Sequence, residues 1–303
     1  LKEMSKSLEI RLSEIEKDIY AGVGYEFNIN STQQLSRAIF ETLKLEPPGR
    51  KKKTTSGLYS TSADVLEEMR GSHPIIDLIL EHRELSKLKN TYVDALPLTI
   101  NRRTGRVHTS FNQTGAVTGR LASSSPNLQN IPTRTELGRK VRTAFIADPD
   151  HVLLSVDYSQ IELRIVAHMA QDEGMLAAFR AGQDIHATTA AAIYGCDISQ
   201  VTKEMRRHAK AINFGLIYGM SPYGLSQSAN LSRKEAEEFV DAYFKKFPRI
   251  KEYLDSIKIQ AAEKGYVETM MGRKRYFPNL GQQKNYSLRT REEREAINAP
   301  IQG

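Results

Sequence analysis

Cysteine is almost missing from this 303-residue chain: Cys196 is the only one. A single cysteine excludes an internal disulfide, offers no zinc-site spacing and suits a reducing compartment; it reads as a small packing residue. Long apolar runs are also missing. No stretch approaches the ~18–20 residues needed to cross a bilayer, so no membrane partner is expected. The opening Leu1-Lys2-Glu3-Met4 lacks the pattern of a secretory signal, and the absence of an initiator Met predicts a processed or excised piece. Repeats and low-complexity tracts are absent as well.

What remains is an ordinary globular composition, 40% apolar and 26% charged, with length enough for two or three subdomains. Lys and Arg number 43 against 36 Asp and Glu, a net charge of +7. That excess is compatible with a polyanionic partner without requiring one.

The chain falls into three zones. In the first, to about Leu98, Met4, Leu8, Leu12, Ile15 and Ile19 recur at spacings of three and four and predict an amphipathic helix. Ser31 is placed to cap the next, which buries Leu35 and Ile39. Ser62 or Thr61 starts another, and a long helix is predicted from Ile75 to Leu96. Between them lies Pro47-Pro48-Gly49-Arg50-Lys51-Lys52-Lys53-Thr54-Thr55-Ser56-Gly57, a loop by composition. Its four consecutive cations suit phosphate contacts or a solvated tip.

In the second zone, Leu98 to Ile100, a turn at Asn101 to Gly105, and Val107 to Phe111 predict strand, turn and strand. Val152-Leu153-Leu154-Ser155-Val156 predicts a buried strand ending at Asp157, a way to present a carboxylate at a sheet edge, and a helix leads away from Ile161. The third zone, Asp184 to Glu295, is predicted mostly helical, with turns at Gly195, Ser221-Pro222, Pro248, Gly265 and Pro278-Asn279.

The most informative segment runs from Arg206 to Gly219. Arg206, Lys210, Phe214 and Tyr218 are spaced four apart; each step turns a helix by about 400°, so they form one slowly drifting stripe. Two cations followed by two rings match a nucleotide laid along a helix, phosphates at one end and base at the other. A solvated amphipathic face would show the same order. Gly215 and Gly219, each costing a helix about 1 kcal/mol relative to Ala, make sense where another surface comes close or the helix end bends.

Arg206 to Gly219 resembles the nucleotide-binding fingers helix of family A DNA polymerases of the bacterial DNA polymerase I type. Asp157-Tyr158-Ser159-Gln160-Ile161-Glu162-Leu163-Arg164 resembles the family's first catalytic palm motif. Thr118-Gly119-Arg120-Leu121, Pro126 to Pro132, and Arg294 to Gly303 resemble three further segments, in family order and spacing. The resemblance covers essentially the whole chain. It implies a mixed, helix-rich α/β fold of right-hand polymerase architecture: a helical thumb over 1–98, the N-terminal part of an incomplete antiparallel palm sheet over 99–183, helical fingers over 184–293, and the start of a returning palm segment over 294–303.

The same resemblance implies roles. Asp157 and the backbone carbonyl of Tyr158 would hold two Mg2+ ions, with Asp157 and Lys210 as the catalytic pair. Gln160, Glu162, His186, Arg206, Lys210, Phe214 and Tyr218 would bind the deoxynucleoside triphosphate, Glu162 excluding a ribose 2′-hydroxyl. Arg120, Arg134, Arg294, Asn298 and Gln302 would touch the primer–template DNA, and Arg50, Lys51, Lys52 and Lys53 would grip the duplex backbone. The implied protein is a monomeric, cytoplasmic, nucleoid-associated enzyme of DNA replication and repair. The family's second catalytic carboxylate, in a His-Asp motif, would follow the segment closing at Gly303. An exonuclease-like region is not expected within this piece, and these 303 residues alone are expected to be inactive. Two other readings stay open: a single-subunit RNA polymerase, against which Glu162 and Phe214 argue, and a DNA-binding piece without catalysis.

Overall fold

A computed structural model describes residues 1–48, 57–133, 135–229 and 231–303. The chain divides into two compact units, one formed by Leu1–Asn112 with Ala122–Leu153, the other by Gln113–Leu121 with Leu154–Gly303.

The first unit is built on α1 (Lys2–Val23), which buries Leu8, Ile15 and Ile19 as the spacing predicts, with Met4 and Leu12 partly buried and Val23 added to the buried face. Ser31 caps the short α2 (Thr32–Ser36) by accepting the Gln34 N–H. Ser62 precedes α3 (Ala63–Glu68). The helix expected from Ile75 is α4 (Pro74–Leu88), started by Pro74 and by His73, whose ring accepts the Ile75 N–H. It passes through a π-helical turn, Lys89–Val93, into α5 (Ala95–Leu98). The apolar faces of α1 and α4 share one core with Leu35, Ile39 and Leu66. Each fully buried Leu or Ile there contributes roughly 1.5–3 kcal/mol. Strands β1 (Ser110–Asn112) and β2 (Ala122–Ser124) pair antiparallel, and α6 (Glu136–Arg142) adds Val141 to the core.

The second unit is almost entirely helical: α7 (Ile161–Ala170), α8 (Glu173–Arg180), α9 (Ile185–Tyr194), α10 (Lys203–Ile217), α11 (Pro222–Ala229), α12 (Arg233–Lys246), α13 (Pro248–Lys264) and α14 (Tyr286–Gln302). Its core joins Leu163 and Val166 of α7, Ile212 and Leu216 of α10, Tyr243 and Phe247, Leu254 of α13, and Ile297 of α14. Gly195 and Gly265 stop their helices in the left-handed conformation. A hairpin of β3 (Tyr266–Glu268) and β4 (Lys274–Tyr276) follows α13, where the sequence reading has only a turn.

The mixed, helix-rich fold class is borne out, but two strand expectations are corrected. Val152 to Val156 forms no strand and has no strand partner among the described residues, and Val152, Leu153, Leu154 and Val156 are exposed. Apolar, β-branched composition supplies propensity only; a strand also needs a neighbour for its backbone hydrogen bonds, and no described segment lies alongside. Leu98 to Ile100 is likewise no strand. Leu98 closes α5, and the expected hairpin shrinks to a single bridge between Ile100 and Val107. Its turn does form, with Asn101 Oδ1 accepting the N–H groups of Arg103 and Thr104. Phe111 pairs instead with Ser123.

Candidate functional site

The second unit gathers the predicted residues around a cavity of about 540 Å³ lined by Arg120, Asp157 to Glu162, His186, Arg206, Lys210 and Phe214. One wall is the segment entering α7, Asp157 to Gln160. Gln160 turns it into the helix with a positive φ of 55°, a strained setting for a side chain bearing a Cβ. That turn puts Glu162 in the first turn of α7, where a carboxylate faces the positive end of the helix dipole.

The facing wall is α10. Its apolar side, Ala209, Ile212, Leu216 and Ile217, is buried in the core, while Lys210 is exposed and Arg206, Phe214 and Tyr218 are half-buried. Thr202 caps the start of the helix and Tyr218 sits at its end. The stripe therefore exists as predicted, and its first three members line the cavity. Gly219 follows with φ 69°, and a Cβ there would stand 3.0 Å from Arg294 Cγ and 3.2 Å from Ile297 Cδ1. The close approach at Gly219 is thus that of α14, whereas at Gly215 it is that of Met220.

One ionic group joins these walls, and a second ties α10 to the start of α9. Arg120 Nη2 donates to Glu162 Oε1 at 3.0 Å, and the Tyr218 hydroxyl donates to Glu162 Oε2. Burial, reinforced by Glu162, pushes the Tyr218 phenol up to about 12. Arg206 Nε donates to Asp184 Oδ2 at 2.7 Å. Burial opposes ionisation of Asp184, but the Arg206 guanidinium and the N–H groups of Ala187 and His186 hold its carboxyl below the usual range. Asp184 is the N-cap of α9 and accepts the His186 N–H at 2.9 Å.

His186 is buried, and burial lowers its imidazole to about 4; nearby Asp184 works against this, and Arg206 and Lys210 add to it. Beneath the ring, Asn213 Nδ2 lies 3.1 Å from His186 Nδ1 and 3.1 Å from Thr189 Oγ1. The Thr189 hydroxyl is also 3.2 Å from Asn213 Oδ1. The His186 and Phe214 ring centroids are 5.7 Å apart.

Asp184, Thr189 and Asn213 were not singled out by the sequence reading. Asn213 had a visible signal: it is a polar residue on the otherwise apolar side of α10. Arg294, Asn298 and Gln302 lie four apart on α14, with Arg294 exposed and the other two half-buried. The loop residues Arg50, Lys51, Lys52 and Lys53, and Arg134, lie outside the described residues.

Asp157 is exposed in the irregular segment before α7, beside Tyr158. Among the described residues no group of three or more His, Cys, Asp or Glu could cage a metal. One carboxylate and neighbouring carbonyls fit Mg2+ only as part of a ligand set, the common arrangement when substrate phosphates and waters complete the octahedron. The cavity chemistry is therefore an anion-holding pole, Arg206, Lys210 and a neutral His186, opposite a carboxylate pole, Asp157 and Glu162.

Comparison with known proteins fits that chemistry. The profile of DNA polymerase family A matches residues 1–303. The chain is 48% identical over 303 residues to the thermostable DNA polymerase I of Thermus filiformis, covering 100% of this chain and 36% of that protein. It is 49% identical over 304 residues to DNA polymerase I of Geobacillus stearothermophilus, covering 100% of this chain and 34% of that one. Among solved structures, it superposes with a TM-score of 0.89 and 40% identity on the POL domain of Pol1 from M. smegmatis in complex with DNA primer-template and dNTP, covering 100% of this chain and 53% of that one. The chain spans about a third of the length of the curated relatives it matches.

Proposed function

This chain belongs to DNA polymerase family A, and from that premise we propose that it carries the nucleotide-adding site of a template-directed DNA polymerase. The observation that carries the reading is one cavity lined both by the cations Arg206 and Lys210 of α10 and by the carboxylates of Asp157 and Glu162. A deoxynucleoside triphosphate laid along α10 puts its phosphates at Arg206, Lys210 and His186, and its sugar and base near Phe214 and Tyr218.

In this reading Lys210 contacts the leaving phosphates and supplies a proton to the departing pyrophosphate, while Arg206 and His186 donate hydrogen bonds to phosphate oxygens. Glu162 sits under the sugar and repels a 2′-hydroxyl. Asp157 and the Tyr158 carbonyl would hold divalent metal, Mg2+ by ligand type, which when bound neutralises charge on the attacking and leaving oxygens. Arg120, Arg294, Asn298 and Gln302, with Gln160 as a further candidate, meet the minor-groove edge of the primer terminus, where acceptors recur at similar places in every correct pair; Arg134 is proposed as another DNA contact. The cations at Arg50 to Lys53 hold duplex phosphates at the tip of a thumb over 1–98, with palm over 99–183, fingers over 184–293 and a returning palm segment from 294. The protein acts as a monomer in the bacterial cytoplasm.

The test is Asp157→Ala in the full-length protein. Primer extension is expected to vanish while primer–template affinity stays within about twofold, since phosphate contacts dominate that affinity. Equal loss of both would make Asp157 structural and remove the reading.

A further inference from the structure

Asn213 is completely buried in α10, a costly place for an amide unless its hydrogen bonds are satisfied. Its partners are both on α9: Thr189, itself buried, and the Nδ1 atom of His186. An imidazole nitrogen that faces an amide donor must act as acceptor, which leaves the proton on the other ring nitrogen. His186 lines the cavity, so the ring is anchored on one side and borders the open space on the other.

We propose that Asn213 is a positioning residue for nucleotide use: by donating to His186 Nδ1 it fixes the neutral imidazole as the Nε2–H tautomer and offers that N–H to a phosphate oxygen of the incoming nucleotide. Thr189 Oγ1 lies 3.1 Å from Asn213 Nδ2 and 3.2 Å from Oδ1, tying the amide to α9 while Nδ2 faces the histidine. The inference rests on the reading of His186 as a phosphate contact.

The arrangement has a physical rationale. Arg206 and Lys210 already bring two positive charges to this end of the cavity, and Asp184 is engaged by Arg206 and by the start of α9. A third cation there would be repelled and buried at once. A neutral donor in fixed orientation adds a hydrogen bond without that penalty. The low proton affinity of His186, set by burial and by Arg206 and Lys210 against the opposing Asp184, agrees with it.

Two measurements on the full-length protein test this. The first needs no variant in the network. In protein labelled with 15N-histidine, with the His186 signals assigned by their loss in His186→Gln, Nε2 is expected to be protonated and Nδ1 unprotonated at pH 7. An Nδ1–H tautomer or an imidazolium would overturn the proposal. The second is a double-mutant cycle of Asn213→Ala and His186→Ala, read as kcat/KM for deoxynucleotide. Asn213→Ala is expected to lower kcat/KM by about threefold to tenfold in the native background, the size of one hydrogen bond, and to have no further effect once His186 is gone. Additive losses would mean that Asn213 acts on folding alone, and the proposal fails. If His186→Ala leaves nucleotide use unchanged while the tautomer is as expected, the phosphate role of His186 fails and the anchoring by Asn213 stands.

Discussion

Tyr218 and Glu162, 56 positions apart in sequence, are joined by a hydrogen bond from the phenol to carboxylate Oε2, while Arg120 takes Oε1. The end of α10 is thereby fastened to the first turn of α7. The carboxylate that faces the sugar in the proposed reaction is held by two donors and has little freedom to move aside. Removing the tyrosine hydroxyl leaves a half-buried carboxylate oxygen short of a donor, and a hydrogen bond to a charged group is worth about 1.5–3 kcal/mol. Tyr218→Phe is expected to lower thermal stability and to loosen the gate, with ribonucleotide incorporation rising relative to deoxynucleotide. A melting curve and the ratio of the two kcat/KM values check it; an unchanged ratio would make the bond purely structural.

Glu162→Ala is expected to raise ribonucleotide incorporation more than Tyr218→Phe does, because it removes both the bulk and the charge facing the 2′ position. It also leaves Arg120 and Tyr218 without their shared acceptor. Competition between a ribonucleotide and its deoxy counterpart in single-nucleotide extension gives the answer. Equal discrimination in native and variant enzymes would take Glu162 out of the gate.

Lys210 is exposed at the cavity and has no ion-pair partner among the described residues, so its charge is available to a ligand. Lys210→Ala is expected to reduce kcat/KM for nucleotide by about tenfold to a hundredfold, from the loss of a charge-assisted bond worth about 1.5–3 kcal/mol. Primer–template affinity should hardly change. Weak DNA binding with normal nucleotide use would instead assign Lys210 to the duplex.

The buried His186 makes stability depend on pH with a definite sign. Its imidazole is depressed to about 4 in the folded protein, against about 6.5 for a free side chain. The unfolded chain therefore takes up the proton first as pH falls. The contribution is whole above about pH 6.5 and is lost progressively as pH drops towards 4. Asp184, Arg206 and Lys210 face the ring and set the extent. Chemical denaturation at pH 7 and pH 5 should show a smaller drop for His186→Gln than for the native protein. A drop of equal size would contradict burial of a neutral ring.

Gly219→Ala probes the contact of α10 with α14. The left-handed backbone costs a residue with a Cβ about 1–2 kcal/mol, and the new methyl would press on Arg294 and Ile297. A lower Tm is expected, together with impaired extension if Arg294 is displaced from the primer terminus. An unchanged Tm would show that α14 yields freely at this contact.

Much of this was legible in the sequence because helices are local. The i, i+4 stripe of Arg206, Lys210, Phe214 and Tyr218 follows from helix geometry alone, as do the buried faces of α1 and α4 and the capping by Ser31. Glu162 at a helix start was equally local. Strands were not, since pairing is decided by what lies alongside: Val152 to Val156 has the composition of a strand and no described partner, whereas Phe111 pairs with Ser123 across an intervening loop. The bonds from Tyr218 and Arg120 to Glu162, from Arg206 to Asp184, and from Asn213 to His186 join residues 22 to 56 positions apart. Sequence determined which groups this site would hold. Tertiary structure decided which of them touch, because hydrogen bonds are short and directional and only the packing of α7, α9, α10 and the loop bearing Arg120 brings donor and acceptor within about 3 Å.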